Sequence, residues 1–249
     1  MKLTKHLSIY LSILILFVSC SPENNITDQK SLSSNPYSFI GESHNAVCEF
    51  LISHGSKNLQ KSSSNDISLN DYNNIVSLSL QYASVHNYDS VAVQAMFNSI
   101  HQLFIEADIF YQEDGTTYLR NLFTKINDLS NAAINLGTVD SMQINEVQPI
   151  IDAAINGASK TELAQMVNQL PLSTYDPQTM GGVLAFISTF NSSNEFWDSL
   201  NEGSLLKPNS DSGDVIIADA WGALYGMIWG PAGSIIGGAA FSYLINENT

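Results

Sequence analysis

Between Ala220 and Ile245 the chain runs for 26 residues without a charged side chain, AWGALYGMIWGPAGSIIGGAAFSYLI. Glycines recur in it at period four: Gly222, Gly226 and Gly230, then Gly233 and Gly237. Glycine costs a helix about 1 kcal/mol per position relative to alanine. A helix that carries it so often needs a compensating gain. Close backbone approach by a second helix, along a stripe of small residues, supplies one. Two arrangements meet this demand. In the first, Pro231 and the glycines around it break the segment into a helical hairpin. Residues Trp221–Trp229 and Ser234–Tyr243 then pack glycine face to glycine face, or into the main bundle. In the second, the segment enters a bilayer. Its length suffices, and Trp221, Trp229 and Tyr243 suit the interfaces. Pro231 near the middle, and Asp219 at one end with no basic residue nearby, favour the buried hairpin.

The rest of the chain reads as helix. From Val91 to Phe110, apolar residues fall at Met96, Phe97, Ile100, Leu103, Phe104 and Ile109, the spacing of one helix face. Leu119, Leu122, Phe123, Ile126, Leu129 and Ala133 repeat it, with Asp114-Gly115-Thr116 as the turn between the two runs. Ser159-Lys160-Thr161-Glu162 has capping-box form and opens another helix. Pro149 is expected in a first helical turn. Met180 to Leu200 is a further helix anchored by Phe186, Phe190 and Trp197. Gly55 to Asn70 is polar and reads as a loop. No run of period-two alternation stands out, and no solenoid repeat is found. The expected fold is all-α: an irregular bundle of about seven to nine helices with a glycine-rich C-terminal helical hairpin.

The N-terminus has the order of a secretory signal. Lys2 and Lys5 precede an apolar run from Leu7 to Val18, which ends at Phe17-Val18-Ser19-Cys20. The run is shorter than the roughly 20 residues that a spanning helix needs. Cys20 at this junction resembles the lipobox cysteine of bacterial lipoproteins. Phe17 departs from the Leu, Val or Ile usual three positions before it. The resemblance implies cleavage before Cys20 and lipid on its sulfur and amino group. Several acyl chains, at about 0.8 kcal/mol per buried methylene, make a stable anchor. The organisation expected is a signal peptide over 1–19, a lipid-anchored flexible tether over 20–36, a helical domain over 37–213, and the glycine-rich segment over 214–249. The expected location is the bacterial cell envelope, at the outer membrane.

Charge and cysteine content narrow the partners. With 24 acidic and 9 basic side chains, the net charge is −15. This disfavours nucleic acid, whose binding is driven by Lys and Arg, and a polybasic attachment to anionic lipid. If Cys20 carries lipid, Cys48 is the one free thiol, and no disulfide framework is available. The membrane, through the N-terminal lipid, and a protein partner are the contacts expected.

The tail is similar to the glycine-zipper stretches of bacteriocin-like and pore-associated bacterial peptides. More of the chain resembles a group of bacterial signal-bearing, lipoprotein-type helical proteins with a GxxHN element and a glycine-zipper tail. Three elements carry this resemblance: Gly41-Glu42-Ser43-His44-Asn45, Ser193-Asn194-Glu195-Phe196-Trp197 and Asp219-Ala220-Trp221-Gly222-Ala223. It implies placement in the envelope and no particular chemistry.

The densest polar cluster is Glu42, His44, Asn45, Cys48 and Glu49. On a helix, His44 and Cys48 share a face, half of a zinc site in ligand type. No second half is visible, so no metal or cofactor is expected. A nucleophile–base reading of the same pair lacks a third orienting group, and no catalytic residue is expected. Glu42, His44, Asn45 and Cys48 form the candidate functional patch, with close packing and hydrogen bonding to a neighbouring loop as the plain alternative. Asn209 to Asp214 offers oxygen ligands but lacks the distal glutamate of an EF-hand. It reads as a linker in which Asp214 caps the next helix. Glu106, Asp108, Glu113 and Asp114 read as solvated charges. No P-loop, nucleophile elbow or dinucleotide fingerprint is present.

Overall fold

The computed structural model describes residues 35–55, 66–200 and 213–246. Among them run nine α-helices: α1 (Ser38–His54), α2 (Leu69–Val85), α3 (Ser90–Glu106), α4 (Ile126–Asn135), α5 (Ser141–Ile155), α6 (Lys160–Asn168), α7 (Gly181–Leu200), α8 (Asp214–Gly226) and α9 (Gly230–Asn246). The fold is all-α, as its patterning predicts. The signal region, Cys20 and Asn209–Ser212 lie outside the described residues.

The outer helices follow local rules. Ser68, Asp89, Asp140 and Ser159 each accept a backbone N–H at the start of a helix, and Ser159–Glu162 forms the expected reciprocal capping box. Four helices end alike. The residue after the cap takes a left-handed backbone at Asn87, Asp108, Gly137 and Gly157. The next N–H then bonds back across the last turn: Tyr88 to Ala83, Ile109 to Phe104, Thr138 to Ala133, Ala158 to Ala153.

Several expectations need correction. The helical run over Val91–Phe110 stops at Glu106, because Asp108 turns the chain at φ 50°. Phe110 and Leu119 belong to a small antiparallel sheet instead. Strands β2 (Phe110–Glu113) and β3 (Thr116–Leu119) pair as a hairpin, and β1 (Ile67–Ser68) adds to β3. Asp114 and Gly115, at φ 49° and 78°, supply the two left-handed residues of a tight hairpin turn. Strands of four residues are too short to declare period two. Their apolar ends also happened to continue the helical spacing. The end of the stretch read as a loop, 67–70, is β1 and the first turn of α2. Pro149 lies inside α5 rather than in its first turn. Asp214 is the first residue of α8, not its cap, and Gly213 at the cap position makes no side-chain bond.

The hairpin is the centre of the core. Every residue from Val215 to Gly226 is buried, and so is the run from Gly233 to Ile245. A short 3-10 turn, Met227–Trp229, joins α8 to α9. Gly230 at φ 77° makes the reversal, and Pro231 follows in the first turn of α9, where a missing N–H is harmless. The glycine faces meet. A Cβ on Gly222 would lie 2.7 Å from the Gly237 carbonyl oxygen, and one on Gly226 would collide with the Gly233 carbonyl. Gly230 is different: nothing lies near it, and its role is the backbone turn rather than packing. Helices α1 and α7 close around this pair. Gly41 of α1 has no room for a Cβ against the Ser188 carbonyl and the Ser192 side chain of α7. Its N–H donates to Ser188 Oγ at 3.1 Å, and Ser188 Oγ donates to the Ser38 carbonyl at 2.9 Å. Asn35 starts the domain: its amide donates to the Leu184 carbonyl at 2.8 Å while its Oδ1 accepts from the Tyr37 N–H.

Candidate functional site

One turn of α1 places His44 and Cys48 on the face that meets the hairpin. Cys48 Sγ lies 3.4 Å from His44 Nε2. The same nitrogen lies 3.2 Å from Asp219 Oδ1, on α8, and both side chains are fully buried. The ring's other nitrogen, Nδ1, is 3.1 Å from Asn45 Oδ1, and the Asn45 amide nitrogen donates to the Ser192 carbonyl at 3.1 Å. Asp219 is held from its far side. Its Oδ2 accepts from Ser193 Oγ and, at 2.9 Å, from Trp197 Nε1, both on α7. Its Oδ1 makes no hydrogen bond, despite its contact with the imidazole. Gly238 of α9 floors the site. A Cβ there would stand 2.8 Å from the His44 ring carbon and 2.9 Å from the Asp219 carbonyl. Ser242, one turn further along α9, acts on the Cys48 thiol but has no well-formed hydrogen bond of its own.

The electrostatics follow from this enclosure. Burial alone would push the His44 pKa down. The electrostatic pull of Cys48 and Asp219 beside the ring outweighs it and holds the imidazole well above its usual value. Burial pushes the Cys48 thiol up, only partly offset by His44. As a Cys–His–Asp trio the group has the side chains of a thiol nucleophile, its base and an orienter. It lacks the exposure and the lowered thiol pKa that such chemistry uses.

Three of the four patch residues converge here: His44, Asn45 and Cys48. Glu42 and Glu49 lie on the exposed side of α1 and take no part. Asp219, Ser193, Trp197 and Gly238 complete the site. Asp219, Ser193 and Trp197 belong to the second and third elements quoted above for the resemblance. The three elements, far apart in the chain, meet at one point. Gly238 had a weaker signal, as a glycine adjacent to the period-four series. Asp219 had a stronger one, as the acid that opens a long uncharged run.

A second feature is a groove beside the hairpin turn. Tyr37, Val139, Gln143, Pro177, Leu224, Met227 and Ile228 line a space of about 320 Å³. Ile228 is 47% exposed there. Comparison of the chain with protein-family models, with curated proteins and with solved structures finds no match in any of the three.

Proposed function

We propose that this is an exported helical protein of the cell envelope, anchored through lipid on Cys20, which works by binding a protein partner. The observation that carries the binding reading is the closed hairpin. The segment best suited to a bilayer already satisfies its glycine faces internally and fills the centre of the domain. What remains on the surface for recognition is side-chain chemistry, and the groove at Ile228 suits an apolar side chain of a partner. A photo-crosslinking residue at Ile228 should give a discrete adduct in intact envelopes. The same residue at Val91, which is 78% exposed on α3, should not. Equal labelling from both positions, or none, overturns the assignment of the groove. Replacing Cys20 with serine should release the protein from membranes, and retention of this variant would overturn the lipid anchor.

A second reading has its own support. Asp214–Ile245 is long and apolar enough to cross a membrane, although most of it is buried inside the domain. In this reading the hairpin leaves the bundle and enters lipid. A soluble form beginning at Ser21, mixed with dye-loaded liposomes, separates the two. Dye release with co-sedimentation favours membrane action. A folded protein that ignores the vesicles favours partner binding.

A further inference from the structure

We propose that His44, Cys48 and Asp219 form a binding site for a divalent transition-metal ion, with zinc(II) the best fit. The donor set is imidazole nitrogen, thiolate sulfur and carboxylate oxygen, all common zinc ligands. Their ligand atoms all lie within 4.8 Å of one another. Tetrahedral zinc, with bonds of about 2.0 Å to nitrogen or oxygen and about 2.3 Å to sulfur, implies ligand–ligand edges of about 3.3 and 3.5 Å. The observed Nε2–Oδ1 and Sγ–Nε2 separations are 3.2 and 3.4 Å.

The surrounding hydrogen bonds prepare each donor. The Asn45 amide nitrogen is committed to the Ser192 carbonyl, so its Oδ1 faces the ring and accepts from Nδ1–H. That leaves the Nε2 lone pair facing Cys48 and Asp219, the arrangement in which metal-bound histidines are usually held. Ser193 and Trp197 occupy Oδ2 of Asp219 and leave Oδ1 as a fully buried acceptor without a hydrogen bond. With the Nε2 lone pair turned toward it at 3.2 Å, that oxygen faces another acceptor, an arrangement that a bridging cation relieves. Ser242 Oγ is a second buried oxygen without a well-formed hydrogen bond, and it acts on the Cys48 thiol from α9. The charges also close. A thiolate, a carboxylate and a neutral imidazole balance one divalent ion. Binding forms three coordinate bonds, and because the ligands bind deprotonated, any proton on the thiol or on Nε2 leaves as the metal enters. Because the site is sealed, the metal enters as the helices close, and its binding is coupled to folding. The proposal stands whether or not the chain is exported.

The test uses the whole mature chain. Protein purified without chelator should carry one equivalent of zinc by elemental analysis. Unfolded and refolded with zinc(II), it should melt at a higher temperature than protein refolded with chelator. Cobalt(II) in place of zinc should give the visible bands of a tetrahedral site and a thiolate charge-transfer band. The C48S variant should lose that band. Asn45→Ala, which removes only the histidine's support, should weaken cobalt binding by about 10–100-fold. Wild-type protein that is metal-free as purified and melts identically after refolding with zinc or with chelator overturns the proposal. That result needs no variant to fold. A cobalt spectrum unchanged in C48S overturns the ligand assignment.

Discussion

The four inner helices and the outer shell are built by different means. In the shell, α2 to α6 and the small sheet, each element carries its own instructions. The shell helices have an apolar stripe, and most have a capping residue at one end and a left-handed residue after the other. In the centre, α8 and α9 are apolar on nearly every side, so no stripe orients them. What orients them is backbone fit, Gly222 to Gly237 and Gly226 to Gly233, and one buried polar group shared by α1, α7 and α8. Hydrophobicity alone makes such a centre sticky without making it specific. The glycines and the polar group supply the register.

This contrast predicts a graded response to mutation. The largest effect belongs to Asp219→Ala. It leaves His44, Ser193 and Trp197 buried without their acceptor, and breaking a buried pair from one side costs about 3–5 kcal/mol. A urea titration should show the midpoint collapse, and a loss under about 1 kcal/mol would mean that the polar group does not set the register. Gly226→Ala comes next. Its Cβ meets the Gly233 carbonyl, backbone that cannot swing aside, and overpacking of this kind costs about 1–3 kcal/mol. On an exposed helix the same exchange would stabilise, so the sign alone, read from the thermal midpoint, tests the claim.

The smallest effect lies in the shell. Ser159→Ala removes one cap and should cost about 1 kcal/mol. The capping box also sets a pH signature. The Ser159 backbone N–H and hydroxyl hold the Glu162 carboxyl below its usual value. Its contribution is therefore complete above the ordinary glutamate range and lost as pH falls through the lowered folded value. Comparing melting at pH 7 and pH 3 in wild type and in Glu162→Gln should show a narrower pH difference in the variant. An identical difference would remove Glu162 from the account.

The same division decides how much could be read from the chain beforehand. The capping box at Ser159, the turn at Asp114-Gly115 and the stripe of α3 are local patterns, and each is where its residues indicate. The β-hairpin was missed because its strands are four residues long and its apolar ends match helix spacing. At the site, the i and i+4 relation of His44 to Cys48 was legible, since both sit on one helix. The third member was not. A lone aspartate beside an apolar run carries no mark of the histidine it will face. Only the packing of α1 and α8 against the same two helices, α7 and α9, joins them. The buried hairpin was legible in outline, because period-four glycine demands a close partner. Which carbonyl each glycine would meet was not.

The position of the hairpin has a consequence for synthesis. The elements that form the centre of the domain, α8 and α9, follow every other described element along the chain. While the chain is being made, α1 exposes the face that will later hold α9, and of its two main packings only that on α7 can form before then. Long-range contacts of this kind slow folding, because loop closure must precede any reward. The earlier helices can form and loosely associate, but the native arrangement waits for α8 and α9. Until those two helices emerge, a growing chain exposes the apolar faces that they cover, the kind of surface that invites aggregation.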